Sequence, residues 1–285
     1  MSSFRLLALD IDGTLINSRE ELTAATHEAI RRARRAGIQV VLATGRRYSR
    51  SLEYTVRLEL DLPLVTASGA LIKRPLDHRT LYRAEFRPEA LRGVLAHIAQ
   101  EGFDAVLYTD SYAEGFDFYC PRLEVEQPEL AEFYRLNPNC GRAMAEMMTA
   151  PPAGVFAGFA MGTKPQMLQL ADELFAEWSD DLSIHVLRSP RYTGFMCEIA
   201  PAGVSKWSGV LHVAEQFGIG RHEICAVGDD VNDIPMIRGA GLGVAMGNAL
   251  EEVKAAADRV APGHDSDGLV TVVEWLLMGD RGPAV

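Results

Sequence analysis

The chain alternates short unbroken apolar runs with segments of helical periodicity. Residues 4–10 form a compact apolar run ending in an acidic loop, which predicts a strand buried on both faces of a parallel sheet. Residues 23–36 then place Ala25, Ala29, Ile30 and Ala33 at helical spacing. Arginines cluster late in this segment and Gly37 lies just past it, as expected where basic side chains meet the negative end of a helix and glycine ends it. Residues 38–43 predict a second buried strand ending at Thr44-Gly45-Arg46, and 64–67 a short third one. Strand, helix and strand in this order predict parallel pairing through a right-handed crossover.

Near residue 81 the texture changes. Strand-like segments at 104–109, 116–120, 155–161, 182–187 and 195–199 alternate with two helices, and no acidic strand-end loop recurs. Met144, Met147 and Met148 fall at helical spacing and read as packing. A helix at 205–217, a strand at 224–227, another acidic loop, a strand at 242–245, a helix at 250–257 and a helix from 269 resume the first pattern. The expected architecture is α/β: a doubly wound parallel Rossmann-like core at 1–81 and 201–285, interrupted by an inserted α/β unit at 82–200, with a loose tail at 280–285. A length of 285 residues suits two domains at about 150 residues each.

Charge and composition narrow the function. A net charge of −11, from 28 Lys+Arg against 39 Asp+Glu, lacks the basic field that a nucleic-acid partner requires. The longest apolar stretches, 153–162 and 268–278, fall short of the roughly 20 residues that cross a bilayer, so no membrane partner is expected. Asp10 halts the N-terminal apolar run before it reaches the length of a signal-peptide core. Four scattered cysteines without a CxxC pair read as reduced thiols, which fits a cytoplasmic location. The seven histidines show no metal-binding spacing.

Candidate chemistry collects at three strand ends. Asp10-Ile11-Asp12-Gly13-Thr14 sets two carboxylates two apart, with a glycine permitting the sharp turn; read alone, it is either a crevice of acids or an acidic turn. Thr44-Gly45-Arg46 is either a small anion site or an ordinary helix start, and Arg46 either faces substrate or is solvated. Gly228-Asp229-Asp230-Val231-Asn232-Asp233 brings three more carboxylates. Ligands of open parallel sheets bind at the carboxyl edge where strand order reverses, so three such loops point to one site. Clustered Asp oxygens without Cys or His suit a hard divalent cation, with Mg²⁺ favoured because it combines a few carboxylates with substrate phosphate. Lys206, in Gly203-Val204-Ser205-Lys206-Trp207, would be unremarkable on its own as a solvated lysine. Glu198 is either a solvent-facing strand residue or part of the site rim.

Together these elements resemble the haloacid dehalogenase superfamily of phosphohydrolases, specifically its Cof-like type IIB branch with a C2 cap. The resemblance runs through DIDGTL at Asp10, ATGR at Thr44, Lys206, and GDDVNDIPMI with Asp229 and Asp233. The segments AGLGVAMGNA at 240–249 and HDSDGL at 264–269 continue it. It implies that Asp10 is the nucleophile forming an aspartyl-phosphate, and that Asp12 is the general acid and base. Thr44 and Lys206 would neutralise the transferring phosphoryl group, with Gly45, Ser68, Gly69 and Asn232 around phosphate or substrate. Asp229, Asp10 and the Asp12 carbonyl would hold Mg²⁺, supported by Asp233. The activity implied is a Mg²⁺-dependent phosphatase of small phosphorylated metabolites, plausibly sugar phosphates, with substrate choice set by the cap.

The sequence departs from the branch twice. Ser68-Gly69 stands where Asn-Gly is usual, and Trp207 follows Lys206 where Gly is usual, so Trp207 is expected under the cap or at the entrance. Two other readings use the same residues. A phosphomutase would return the phosphoryl group to a second hydroxyl, and a non-catalytic phospho-receiver would use acidic loops, Thr and Lys around Mg²⁺ but would have no use for Asp12 as a proton donor.

Overall fold

The computed structural model describes residues 4–188 and 191–279; the expected loose tail at 280–285 lies outside them. The chain divides into two compact units, Met1–Tyr82 with Ser205–Val285, and Arg83–Val204.

The first unit is built on a five-stranded parallel sheet whose order across the sheet is Arg259–Val260, Leu242–Ala245, Ile224–Gly228, Leu6–Leu9 and Gln39–Leu42. The Leu6–Leu9 strand is buried at every position, because it lies mid-sheet with helices on both faces. Alternate side chains go opposite ways: Leu6 and Ala8 join Val41, Val210, Val213 and Met236 in one core layer. On the apolar sequence of helix Gly268–Met278, Val272, Val273 and Leu276 are buried, and this helix packs against Ala24–Arg35. The latter starts where the Thr23 hydroxyl accepts the Thr26 amide at 3.1 Å and ends with Arg32, Arg34 and Arg35 in its last turn.

Topology positions the site. From Leu6–Leu9 the chain first moves to Gln39–Leu42 on one side, and after the second unit it returns to Ile224–Gly228 on the other. Strand order therefore reverses at the carboxyl ends of Leu6–Leu9 and Ile224–Gly228, the place where open α/β sheets bind ligands.

The third strand, Leu64–Thr66, touches the parallel sheet through a single bridge from Val65 to Ala43. It belongs to a separate three-stranded sheet with Leu71–Lys73 and Thr80–Arg83, a hairpin that the apolar pattern does not signal. The helix expected at 250–257 is reduced to Glu251–Lys254.

In the second unit, a six-stranded sheet runs in the order Leu182–Leu187, Phe195–Pro201, Val155–Gly162, Ala105–Thr109, Phe118–Cys120 and Gly141–Ala143. Pairing is antiparallel except for the last pair. Helices Pro88–Gln100 and Lys164–Trp178 pack on it through Leu91, Val94, Met167 and Leu170. A third helix, Pro128–Leu136, brings Phe133 to 5.3 Å from Phe118 and 5.0 Å from Phe159 between ring centroids. Met144, Met147 and Met148 do pack into this core, but they lie on a strand end and a run of turns rather than a helix. Glu198 is buried, opposite His185 and Phe159 in the sheet, so it is not a solvent-facing strand residue. The four cysteines are free, and no helix among the described residues is long and apolar enough to cross a membrane.

Candidate active site

Asp10 follows the Leu6–Leu9 strand and is 4% exposed; a single irregular turn, Ile11–Leu15, comes after it. The turn needs Gly13, whose φ is +72° and whose site for a Cβ lies 2.1 Å from Asp229 Oδ2. Any side chain there would occupy the space of that carboxylate. Thr14 turns inward and donates its hydroxyl to Asp229 Oδ1 at 2.8 Å. Asn248 holds the turn from outside, donating to the Gly13 carbonyl at 2.9 Å, while its own carbonyl accepts the His264 amide at 2.9 Å. His264 Nδ1 in turn meets the Ile16 carbonyl at 2.8 Å, so the 240–249 and 264–269 segments act as a brace behind the acidic loop.

Lys206 is the first residue of helix Lys206–Gln216, begun by Ser205, whose hydroxyl accepts the Ser208 amide at 3.1 Å. Its side chain is 2% exposed and its Nζ donates to Asp10 Oδ1 at 2.8 Å and to Asp233 Oδ1 at 2.7 Å. The lysine is therefore not the solvated side chain that its short motif, read alone, would allow. Burial alone would lower its pKa, but the Asp10 and Asp233 carboxylates hold it well above the ordinary value, so it stays charged. Asp233 has its second oxygen on the Asp229 and Asp230 amides at 2.9 and 3.1 Å. It thus fixes both the lysine and the loop. Asp230 accepts its neighbour's amide at 2.7 Å, a purely local role.

One carboxylate oxygen from each of Asp10, Asp229 and Asp233 lies within 4.8 Å of the others. Burial pushes Asp10 up to about 7 against the pull of Lys206, with Asp233 and Asp12 adding to the rise. Burial likewise pushes Asp229 up to about 9, reinforced by Asp10 and Asp233. One lysine does not neutralise this set, and its donors are all hard oxygens. These residues fit a divalent cation of the Mg²⁺ type. A second grouping, His97, Glu101 and Glu173, lies in the other unit, a spacing the sequence did not reveal; there His97 Nε2 pairs with Glu173 at 3.2 Å across two helices.

Thr44, 1% exposed, does not open a helix. The helix Tyr48–Arg57 begins four residues later, and the Thr44 hydroxyl accepts the Arg46 amide at 3.1 Å. The Thr44 carbonyl accepts the Ser68 amide at 3.0 Å, and the Arg46 carbonyl the Ala67 amide at 3.0 Å, which hangs the 67–69 turn on this loop. Ala67, Ser68 and Gly69 all have positive φ. A Cβ on Gly69 would lie 2.0 Å from the Ser205 carbonyl oxygen, so glycine lets this turn meet the lysine helix. Ser68 Oγ and Asn232 Nδ2 both lie beside Gly45, at 3.4 and 3.6 Å from where its Cβ would be. Asn232 Oδ1 is buried without a hydrogen-bond partner among the described residues.

Arg46 is not a solvated helix start: its side chain is 10% exposed. It forms a two-point ion pair with Asp12, Nε to Oδ2 at 2.7 Å and Nη2 to Oδ1 at 2.6 Å. No sequence pattern links residues 34 apart; the parallel register Leu9↔Leu42 does. Trp207 is likewise elsewhere than expected. It fills the space above Gly239, whose Cβ would lie 2.3 Å from its ring, and stacks near Arg221, so it is part of the packing between two helices of the first unit.

The model of a family described as haloacid dehalogenase-like hydrolase matches residues 7–273. The phosphatase YwpJ of Bacillus subtilis is 29% identical, covering 96% of this chain and 100% of its own. The 5-amino-6-(5-phospho-D-ribitylamino)uracil phosphatase YwtE of the same organism is 27% identical over 96% of this chain and 99% of its own. The solved structure of a haloacid dehalogenase-like hydrolase from Bacteroides thetaiotaomicron is 27% identical, superposes with a TM-score of 0.76, and covers 95% of this chain and 98% of its own. With the family's match spanning nearly all the described residues and the acidic loops meeting at the switch point of the sheet, the chain belongs to the haloacid dehalogenase-like hydrolase family.

Proposed function

We propose that this phosphoric monoester hydrolase removes phosphate from small polyhydroxylated metabolites in the cytoplasm, through an aspartyl-phosphate on Asp10 and with Mg²⁺ as its cation. The observation that carries the reading is the buried set in which Lys206 bridges Asp10 and Asp233 while the Asp229 carboxylate lies within 4.8 Å. A structural ion pair has no use for the additional acid, whereas phosphoryl transfer to a carboxylate needs both positive charge and a metal to relieve the repulsion between nucleophile and phosphate. The class of substrate is supported by the relative YwtE, whose named substrate carries its phosphate on a ribityl chain.

Mg²⁺, held by Asp10, Asp229 and the Asp12 carbonyl, would supply Lewis-acid charge to the phosphoryl oxygens. The chain's own groups do the rest. The Asp10 carboxylate forms a bond to phosphorus as the ester P–O bond breaks, and Asp12 gives its proton to the departing alkoxide. A water then attacks phosphorus and surrenders a proton to Asp12, the bond from phosphorus to Asp10 breaks, and inorganic phosphate leaves. Lys206 and the Thr44 hydroxyl would offset the charge on the phosphoryl oxygens. Gly45, Ser68, Gly69 and Asn232 would line the phosphate's surroundings, and Asp233 would keep Lys206 aimed. The unit Arg83–Val204 would act as the cap that selects the alcohol.

The test is a panel of polyol and sugar phosphates assayed for phosphate release, with Mg²⁺ and with chelator, combined with acid-quenched trapping of radiolabelled phosphate on the protein. Release that persists in chelator, or turnover without label on Asp10, contradicts the proposal.

A further inference from the structure

We infer that Arg46 is the positioning residue of Asp12, fixing the direction in which that carboxylate gives and takes its proton; the inference rests on the acid and base role proposed above. Both ends of Arg46 are held. Its amide donates to the Thr44 hydroxyl at 3.1 Å and its carbonyl accepts from Ala67 at 3.0 Å. The guanidinium lies over the Tyr54 ring, 5.4 Å from its centroid, and Nη1 reaches the Tyr54 hydroxyl at 3.3 Å. Asp12 has no such frame of its own, since its backbone is extended within the irregular turn and its side chain is 33% exposed against 10% for Arg46. What orients it is the planar fork at 2.6 and 2.7 Å.

A two-point contact sets the plane of a carboxylate as well as its distance, which the point charge of lysine does not do. It occupies one lone pair on each oxygen and leaves another on each directed away from the guanidinium, so the fork fixes where those free lone pairs point. Arg46 on this view touches neither phosphorus nor the leaving oxygen. It acts through Asp12 on the two proton transfers alone.

General acid catalysis contributes about 10² to 10⁴-fold where the leaving alkoxide is strongly basic, and loss of orientation forfeits part of that. In Arg46→Gln the first phosphoryl transfer from an alkyl phosphate, read in the pre-steady-state burst, should therefore slow about tenfold or more. The same step with nitrophenyl phosphate, whose leaving group departs without a proton, should change less than about threefold. Arg46→Lys should fall between wild type and Arg46→Gln, and free guanidinium should partly restore Arg46→Ala. Combined with Asp12→Ala, Arg46→Gln should add no further loss. Equal losses on both esters, or additive losses in the double variant, overturn the inference and make Arg46 a ligand of the substrate. Should Arg46→Gln not fold, the partial loss and ester dependence of Arg46→Lys decide. If Asp12→Ala itself shows no dependence on the leaving group, the acid role fails; if it does and Arg46→Gln and Arg46→Lys do not, only the role of Arg46 fails.

Discussion

Lys206→Met retains the length of the side chain and removes its ammonium, which makes it the sharpest probe of the buried charge set. The lysine lies 2.8 Å from Asp10 and 2.7 Å from Asp233, with the three side chains 2%, 5% and 0% exposed. At an effective dielectric near 20, one such contact amounts to about 6 kcal/mol of gross attraction. Removing one member of a buried pair costs about 3–5 kcal/mol, because the stranded partners keep their desolvation. They recover part of this by binding protons. Burial already pushes Asp10 up to about 7, Lys206 being the group that restrains the rise, so the variant's carboxyl should titrate higher. A carboxyl whose folded pKa exceeds its unfolded value near 3.9 binds more protons folded than unfolded, and stability falls as pH rises through the interval between the two values. At about 1.4 kcal/mol per proton and pH unit, the cost of Lys206→Met should be about 3–5 kcal/mol near pH 8.5 and about 1–2 kcal/mol smaller near pH 6. Urea unfolding in chelator measures it, with Trp207 and Trp275 reporting the first unit and Trp178 the second. A cost below about 1 kcal/mol at the higher pH, or one independent of pH, would refute the argument.

Asp10→Asn should abolish turnover while circular dichroism stays unchanged; near-normal activity would remove Asp10 as nucleophile. Cation binding needs ionised Asp10 and Asp229, which burial holds at about 7 and about 9, so Mg²⁺ affinity should rise with pH through that interval and release protons on binding. Calorimetry in buffers of differing ionisation heat reads this directly, and affinity without pH dependence or proton release excludes the pair as ligands. Metal-free protein should also lose thermal stability as pH rises from the unfolded carboxyl value near 3.9 towards about 7 for Asp10 and about 9 for Asp229, with Mg²⁺ restoring it at the upper end. Gly13→Ala and Gly69→Ala should separate site from scaffold. The Gly13 methyl meets the movable Asp229 carboxylate at 2.1 Å and the Gly69 methyl the fixed Ser205 carbonyl at 2.0 Å. The first should cost about 1–2 kcal/mol with a marked loss of cation affinity, the second about 2–4 kcal/mol, and equal effects on affinity would count against the assignment.

The sequence by itself determined the α/β core, because uninterrupted apolar runs such as Leu6–Leu9 are tolerated only where both faces of a sheet are covered, and the acidic loops follow those runs directly. It also determined that the acidic loops share one edge, since parallel strands place all their carboxyl ends together; that Asp10, Asp229 and Asp233 are the acids that converge there is decided by the tertiary structure. What the sequence left open is pairing between side chains distant along the chain. Lys206, unremarkable in its own short motif and marked as a site residue only by the family resemblance, is aimed by the helix begun by Ser205, 2% exposed, between Asp10 and Asp233. Arg46 and Asp12 meet through strand register, and Trp207 finds its place against Gly239, at the end of the short helix Ile234–Gly239 that follows the acidic loop. Propensity and periodicity act over a few residues, whereas a charge or a ring is placed by the closest approach of whole elements; that distance exists only once the sheet has formed.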